Sequence, residues 1–541
     1  MIELLAANLA PIMFIIVMGL LMLGYPVAFT LAAGGLGFFA IGVGMSQIFP
    51  GIVHLSWPLL QAQPDRIFGI LSNDTLLAVP FFTLMGAIFQ RTGIAEELLE
   101  IVARLFGRVR GGLCFAVVLV GALLAATTGV VSASVMTMGL IALPIMLRSG
   151  YDPRIAAGTI AASGTLSQIV PPSLVLIVMA DQMGVPVGEM YRGAAVPALL
   201  LIGMFCLFLA AVAVFSPGRM PVMRGMHAGW REFLGLTAMM ALGVGATWLG
   251  HRALGAAATT ELRIVGAMMI GAAAAVVAAG FRPHGDFVRR AIMALVPTLG
   301  LIFLVLGTVF LGVATPTESG AMGAAGALLL AMARRRITLP ALRETLHQTA
   351  RLTVFVFFIL IGARLFSLTF YGLGGDAWLH DLLLSLPGEK VGFIVFAMVV
   401  IFILGCFLDF FEIAFIVVPL LLPTAVVLNI DPLWFGILIS MNLQTSFLTP
   451  PFGFALFYLR SVAPRPAGPS APPGVDTAQI YTGPLPFVAL NVALIGIVIA
   501  WPELVILEPI ATEGTGTELI APAASGGTDD SSGGNLNHLF D

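Results

Sequence analysis

Two stretches of this chain carry the same few distinctive residues at the same spacing. The sequence holds two Asp-Pro dipeptides, Asp152-Pro153 and Asp431-Pro432, and eighteen residues beyond each proline stands a Pro-Pro pair, Pro171-Pro172 and Pro450-Pro451. A proline also precedes each Asp by eight residues, Pro144 and Pro423, and the one offset of 279 that superimposes all of these pairs Ser167 with Ser446. Matching aliphatic residues would mean little in so apolar a chain. Matching Pro, Asp and Ser marks an internal repeat. Two consecutive prolines remove two backbone donors and clash with the turn before them, so a helix starting at either Asp-Pro must break near the middle of its span. Thr165 and Ser167 precede the first break; Asn442, Thr445, Ser446 and Thr449 precede the second. Freed carbonyls and hydroxyls of this kind can replace the hydration shell of a hard cation such as Na⁺, and half-helix N-termini favour an anion. The plainer reading is that Pro-Pro kinks a structural helix and the polar side chains bond neighbouring helices.

Two further segments lie beside these breaks in the sequence. Residues 127–147 begin with Thr, Gly and Ser and contain Gly139 and Pro144; residues 407–429 carry Asp409 and Glu412, then Pro419 and Pro423. Neither reads as one clean spanning helix. A re-entrant hairpin fits each, since non-helical backbone at membrane depth survives only where protein or a water-filled cavity satisfies it. Asp409 and Glu412 at the second tip either bind a cation or sit in water at the membrane surface. Glu318, in Ala314-Thr-Pro-Thr-Glu-Ser-Gly, is either a ligand or an acid in the first turn of a helix capped by Thr315 or Thr317. Asn73-Asp74 reads as a further helix start with a structural acid.

Composition fixes the setting. Of 541 residues 59% are hydrophobic and 10% charged, against roughly 25% charged in ordinary globular domains, so the chain is an all-α integral membrane protein. Fourteen apolar segments, the first at 9–23 and the last at 484–508, share its length. Seven acids and no Lys or Arg follow residue 500, so the rest of the chain has a small basic excess. That excess suits cytoplasmic loops and is too small for nucleic-acid binding. Arg104/Arg108/Arg110, Arg289/Arg290 and Arg334-Arg335-Arg336 mark the candidate cytoplasmic turns. Residues 95–111 space Leu98, Leu99, Val102, Leu105 and Phe106 along one face, which predicts an interfacial helix on the membrane. Cys114, Cys206 and Cys406 each sit in an apolar stretch, which argues against disulfides and a Cys-based metal site. The N-terminus has no basic leader or cleavage site and reads as a retained helix.

The expected organisation is scaffold helices and a loop over 1–70, repeat 1 over 71–216 with hairpin 127–147 and broken helix 153–180, and extra scaffold helices over 217–290. Repeat 2 follows over 291–460 with hairpin 407–429 and broken helix 432–458. A Pro-rich loop (461–483), a C-terminal helix (484–508) and a disordered tail (509–541) complete it. Broken helices at corresponding places in two halves point to a transporter's binding site, with the halves in inverted topology.

These motifs resemble the large permease subunit of tripartite ATP-independent periplasmic (TRAP) transporters. The resemblance rests on Gly24-Tyr-Pro26-Val-Ala, Leu77-Ala-Val-Pro80-Phe-Phe, Gly129-Val-Val-Ser132-Ala-Ser134, Gly150-Tyr-Asp-Pro153, Ile169-Val-Pro171-Pro172-Ser, Ala314-Thr-Pro-Thr-Glu318, Phe407-Leu-Asp409 and Leu448-Thr-Pro450-Pro451-Phe-Gly453. It covers most of 10–215 and 290–460. It implies an elevator-type secondary transporter in the bacterial inner membrane, driven by a Na⁺ gradient and needing no cofactor. It also implies two partners: a small four-helix membrane subunit, expected as a separate chain, and a periplasmic binding protein that delivers an organic acid. By the same similarity Gly129, Ser132 and Ser134 with the break at 165–172 form one Na⁺ site. Asp409 with the break at 442–451 forms the other, with substrate between them. The chain departs from the common form in the two apolar segments within 218–290, which resemble the added helices of the longer subfamily, and in Phe410-Phe411 after Asp409.

Four other readings have less support. A membrane enzyme is disfavoured, since the chain has no His-Glu-x-x-His and no Gly-x-Gly-Asp, and an ATP-driven pump would need a Walker A sequence. A channel would also use re-entrant loops, yet charged selectivity rings are missing. A stand-alone Na⁺-coupled anion transporter would share the repeat and differ only in the family motifs.

Overall fold

The computed structural model describes residues 2–50, 52–223, 229–253, 260–282, 286–450, 452–464 and 474–506, and all regular structure among them is helical. Nine of these helices are long and apolar enough to cross a membrane, or up to eleven if each of two bent helix pairs counts as one span. Large apolar side chains point outward along them, Leu207, Val214 and Phe215 being more than 70% exposed. Outward apolar surface is what a bilayer solvates, and helices satisfy their own backbone groups there. The chain is a multi-pass membrane protein.

Each repeat builds a hairpin and a broken helix. In the first, Gly112–Thr128 ends at Gly129 in left-handed backbone (φ 59°) and Val131–Arg148 restarts two residues on. In the second, Glu389–Gly405 is followed by a short tip and by Phe410–Val427, which contains a five-residue π turn, Ile413–Val417. The open ends are tied alike: the Leu113 N–H donates to Tyr151 Oη at 3.4 Å, and Lys390 Nζ donates to the Asn429 carbonyl at 3.2 Å. The ranges 127–147 and 407–429 are therefore corrected. Each is the second arm of a hairpin whose first arm is an apolar helix that reads by composition as an ordinary span.

The broken helices start as their sequence requires. Asp152 Oδ1 accepts from the Arg154 N–H at 2.9 Å and Asp431 Oδ1 from the Trp434 N–H at 3.0 Å, with proline in the first turn of both. The first runs Pro153–Thr165, tightens into a 3₁₀ turn at Leu166–Gln168, breaks around the cis peptide bond between Pro171 and Pro172, and resumes as Leu174–Met183. The second runs Pro432–Phe447 and resumes as Phe454–Val462. Their packing is reciprocal. Each first half lies on its own repeat's hairpin, whereas Leu174–Met183 packs on Phe410–Val427 and Phe454–Val462 packs on Val131–Arg148. Two copies that exchange their second halves in this way form the inverted-repeat pattern of a membrane carrier.

The remaining helices form a frame. Val27–Ile48 packs along Leu339–Gly372, and Asp74–Arg91 along Pro316–Ala333. Leu339–Gly372 begins at a Thr338 cap, well before the apolar stretch 353–373. Its 34 residues extend about 50 Å, beyond a hydrocarbon core of about 30 Å, so its polar first turns protrude. The two inserted helices, Trp230–Ala253 and Thr260–Gly280, pack on each other and on Phe287–Phe310. Their small residues allow this: a Cβ on Gly243 would lie 3.4 Å from the Gly271 carbonyl oxygen, and one on Gly250 3.4 Å from Ala267 Cα.

Two further expectations change. Ile94–Leu105 is amphipathic as the spacing predicts, but Leu98, Leu99 and Val102 are buried against protein, so the face assigned to lipid is already covered. Within 461–483, Thr477–Thr482 is helical because Asp476 and Gln479 form a capping box. The tail expected over 509–541 and residues 465–473 of the Pro-rich loop lie outside the described residues.

Candidate functional site

The tips and the breaks converge. A Cβ on Gly129 would lie 3.0 Å from Leu174 Cβ and 3.1 Å from its backbone nitrogen, so the first tip rests where the first broken helix resumes. A cavity of about 50 Å³ opens there, lined by Gly129, Ser132, Gln168 and Leu174 from repeat 1 and by Asp409, Phe411, Phe447 and Tyr458 from repeat 2. That volume suits a few waters or a small ion. A larger cavity of about 800 Å³ surrounds Asp152 and Arg219 at the open end of the first hairpin, away from both breaks, and we do not assign the site to it.

At the first break the hydroxyls bond back to their own chain. Thr165 Oγ1 donates to the Ala162 carbonyl at 2.9 Å, Ser167 Oγ to that of Gly164 at 2.9 Å, and Ser173 Oγ to those of Ser167 and Gln168 at 2.7 and 3.2 Å. The second break repeats this. Thr445 Oγ1 donates to the Met441 carbonyl at 3.0 Å, Ser446 Oγ to that of Leu443 at 2.8 Å and Thr449 Oγ1 to that of Thr445 at 2.8 Å. Asn442 Nδ2 donates to the Met398 carbonyl at 2.7 Å, fixing the second broken helix to the first arm of its hairpin. A hydroxyl that spends its proton on its own helix presents oxygen lone pairs, the groups a hard cation takes.

Asp409 and Glu412 form a capping box: Asp409 Oδ1 accepts from the Phe410 N–H at 2.8 Å and Glu412 Oε2 from the Asp409 N–H at 2.9 Å. Asp409 thus starts the second arm and lines the cavity, while Glu412 is buried. Glu318 does not line it. It completes a capping box with Thr315, whose N–H it accepts at 2.8 Å, at the head of Pro316–Ala333, and Thr317 Oγ1 donates to the Asp74 carbonyl. Asn73 Oδ1 caps Asp74–Arg91 by accepting the Thr75 N–H at 2.9 Å.

Of the residues singled out, Gly129, Ser132 and Asp409 share the cavity. Ser134, Thr165, Ser167, Asn442, Thr445 and Ser446 are buried around it without lining it, and Thr449 and Pro450 are half-buried. Pro451 lies outside the described residues. Gln168 and Gln444 were missed. Both side chains are fully buried, and neither amide oxygen nor nitrogen has a partner among the described residues. Leaving a buried polar group unpaired costs about 1–3 kcal/mol, so two such amides beside the breaks mark polar capacity held for something else. A glutamine inside an apolar run ahead of each Pro-Pro was the available signal.

Internal repeats, paired hairpins and paired broken helices together define a secondary transporter of the membrane-carrier class. The family model described as the DctM component of the tripartite ATP-independent periplasmic transporter matches residues 14–504, and the chain belongs to that family. It is 29% identical over 74% of its length to the C4-dicarboxylate TRAP transporter large permease of Pseudomonas aeruginosa, of which 81% is covered. It is 24% identical over 88% of its length to the sialic acid TRAP transporter large permease of Vibrio cholerae, of which 96% is covered. Its fold is like that of the Alcanivorax borkumensis YdaH transporter, with a TM-score of 0.52 at 15% identity over 87% of this chain and 99% of that one.

Proposed function

We propose that this chain moves an organic acid across the bacterial inner membrane by secondary transport coupled to Na⁺, working with a small membrane subunit and a periplasmic binding protein that delivers the substrate. The observation that carries the reading is the paired arrangement at the breaks, where back-bonded hydroxyls stand with two buried glutamines that have no partner among the described residues. Hydroxyl and carbonyl oxygens suit Na⁺ at Ser132 and Ser167 in one half and at Asp409 and Ser446 in the other. The substrate belongs between them and the cavity must widen to take it. An elevator-like displacement of the hairpins and broken helices against the frame would do this. The relatives' substrates, a C4-dicarboxylate and sialic acid, are both carboxylates, and Arg66 and Arg364 line a cavity of about 410 Å³ beside Asn73 that would favour an anion.

The test is direct ion binding. Na⁺ added to the purified chain should raise its unfolding temperature where equal K⁺ does not, and Ser167→Ala with Ser446→Ala should remove that rise. Equal responses to the two ions would overturn the coupling-ion assignment.

A further inference from the structure

The transport reading gives no role to the inserted helices or to the arginines grouped beside them, and the two features meet on one helix. Arg289 and Arg290 lie in the first turn of Phe287–Phe310 and share a cavity of about 310 Å³ with Arg334, Arg336, Glu97 and Met293. Of the residues lining it, Glu97 alone opposes the four guanidinium groups, accepting from Arg334 at 2.9 Å and Arg336 at 3.0 Å. Arg336 also donates to the Thr92 and Gly93 carbonyls. Arg289 Nε and Arg334 Nη2 are buried with no partner among the described residues. Three arginine charges in excess, with donors unused, call for an anion.

The same helix continues as an apolar groove. Arg289, Met293, Val296, Gly300, Phe303 and Gly307 succeed one another at intervals of three or four residues, which places them on one face. From Val296 onward this face lines a cavity of about 270 Å³ whose opposite wall is the inserted pair, with Ala272 across from Gly300. The groove from Val296 to Gly307 is about 16 Å long at 1.5 Å per residue, the depth of one leaflet of a hydrocarbon core about 30 Å thick. Its width comes from glycine: a Cβ on Gly300 would meet only Ala272 Cβ at 3.8 Å, and one on Gly307 nothing within 4 Å.

We propose that this face of Phe287–Phe310 binds one anionic phospholipid, its phosphodiester held by Arg289, Arg290 and Arg334 and one acyl chain lying in the groove that the inserted helices close. Clustered arginines where helices leave the membrane mark the cytoplasmic leaflet, where basic pockets between helices take lipid headgroups. The inserted pair is then one wall of a lipid site.

Native mass spectrometry of the full chain, released from nanodiscs of phosphatidylcholine containing phosphatidylglycerol or cardiolipin, tests this. One anionic lipid should be retained at least tenfold over phosphatidylcholine, and inorganic phosphate at millimolar concentration should not displace it. Arg289→Gln with Arg290→Gln should abolish the preference. Gly307→Leu leaves the charge intact and has room to fold, and it should cut retention severalfold by filling the groove. Retention without charge preference, retention unchanged in either variant, or displacement by phosphate would each overturn the proposal.

Discussion

Asn73 Nδ2 donates to Asp181 Oδ1 at 2.7 Å and so joins the frame helix that begins at Asp74 to the segment that resumes after the first break. Tyr371 Oη makes a comparable tie to the Pro419 carbonyl at 3.2 Å, and Arg192 bonds the Phe310 carbonyl. If hairpins and broken helices move against the frame, the Asn73 bond must open in each cycle. Asn73→Ser keeps a capping oxygen but is too short to reach Asp181. A hydrogen bond to a charged group contributes about 1.5–3 kcal/mol, so this variant should change the uptake rate roughly tenfold and should also lower the unfolding temperature. Paired uptake and unfolding measurements check it.

Gly129 is constrained twice, by its left-handed φ and by Leu174 against its Cα. Gly312 shares the backbone constraint (φ 69°), but a Cβ added there would meet nothing within 4 Å. Gly312→Ala should therefore cost about 1–2 kcal/mol. Gly129→Ala should cost more and should also lower uptake, because the tip must shift off the break. Thermal unfolding of the two variants side by side separates contact from strain.

Asp409 is a helix cap whether or not it meets a cation. Asn caps as well as Asp, whereas Ala loses about 1 kcal/mol. Asp409→Asn should keep the fold and raise the Na⁺ concentration needed for half-maximal uptake, and Asp409→Ala should add a loss of stability. Uptake titrated with Na⁺ reads the first effect and unfolding the second.

Asp286 gives a pH prediction at the membrane edge. It caps Phe287–Phe310 through the Val288 N–H at 3.1 Å, and its hydrogen bond to Arg282 at 3.0 Å holds its carboxyl below the usual carboxylate range. A group with a depressed folded value stabilises at pH above its unfolded value and loses that contribution as pH falls through the folded one. Acidification should thus weaken this helix start only below the ordinary carboxylate range, and Asp286→Asn should flatten that part of a stability profile against pH.

The repeat was legible because Pro, Asp and Ser carry backbone consequences that aliphatic residues do not. Asp152 and Asp431 cap the helices their spacing predicts, and each helix ends a few residues ahead of its Pro-Pro pair. The hairpin bounds were not legible, since Gly112–Thr128 and Glu389–Gly405 have the composition of plain spans and only the turn at Gly129 and the cap at Asp409 betray the reversal. Leu98 and Val102 illustrate a second limit: an amphipathic pattern gives a buried face without saying whether protein or lipid covers it. Gln168 and Gln444 lie inside the motifs, but nothing in their type sets them apart from the hydroxyls around them, because their importance comes from burial without a partner among the described residues.

Transport through the paired breaks should be driven by the Na⁺ gradient. The most direct measurement is uptake of a carboxylate substrate into proteoliposomes holding this chain and its small membrane subunit, with the cognate binding protein outside and with or without an inward Na⁺ gradient. Saturable uptake that requires both the gradient and the binding protein is expected. Uptake independent of the gradient and without saturation would contradict it.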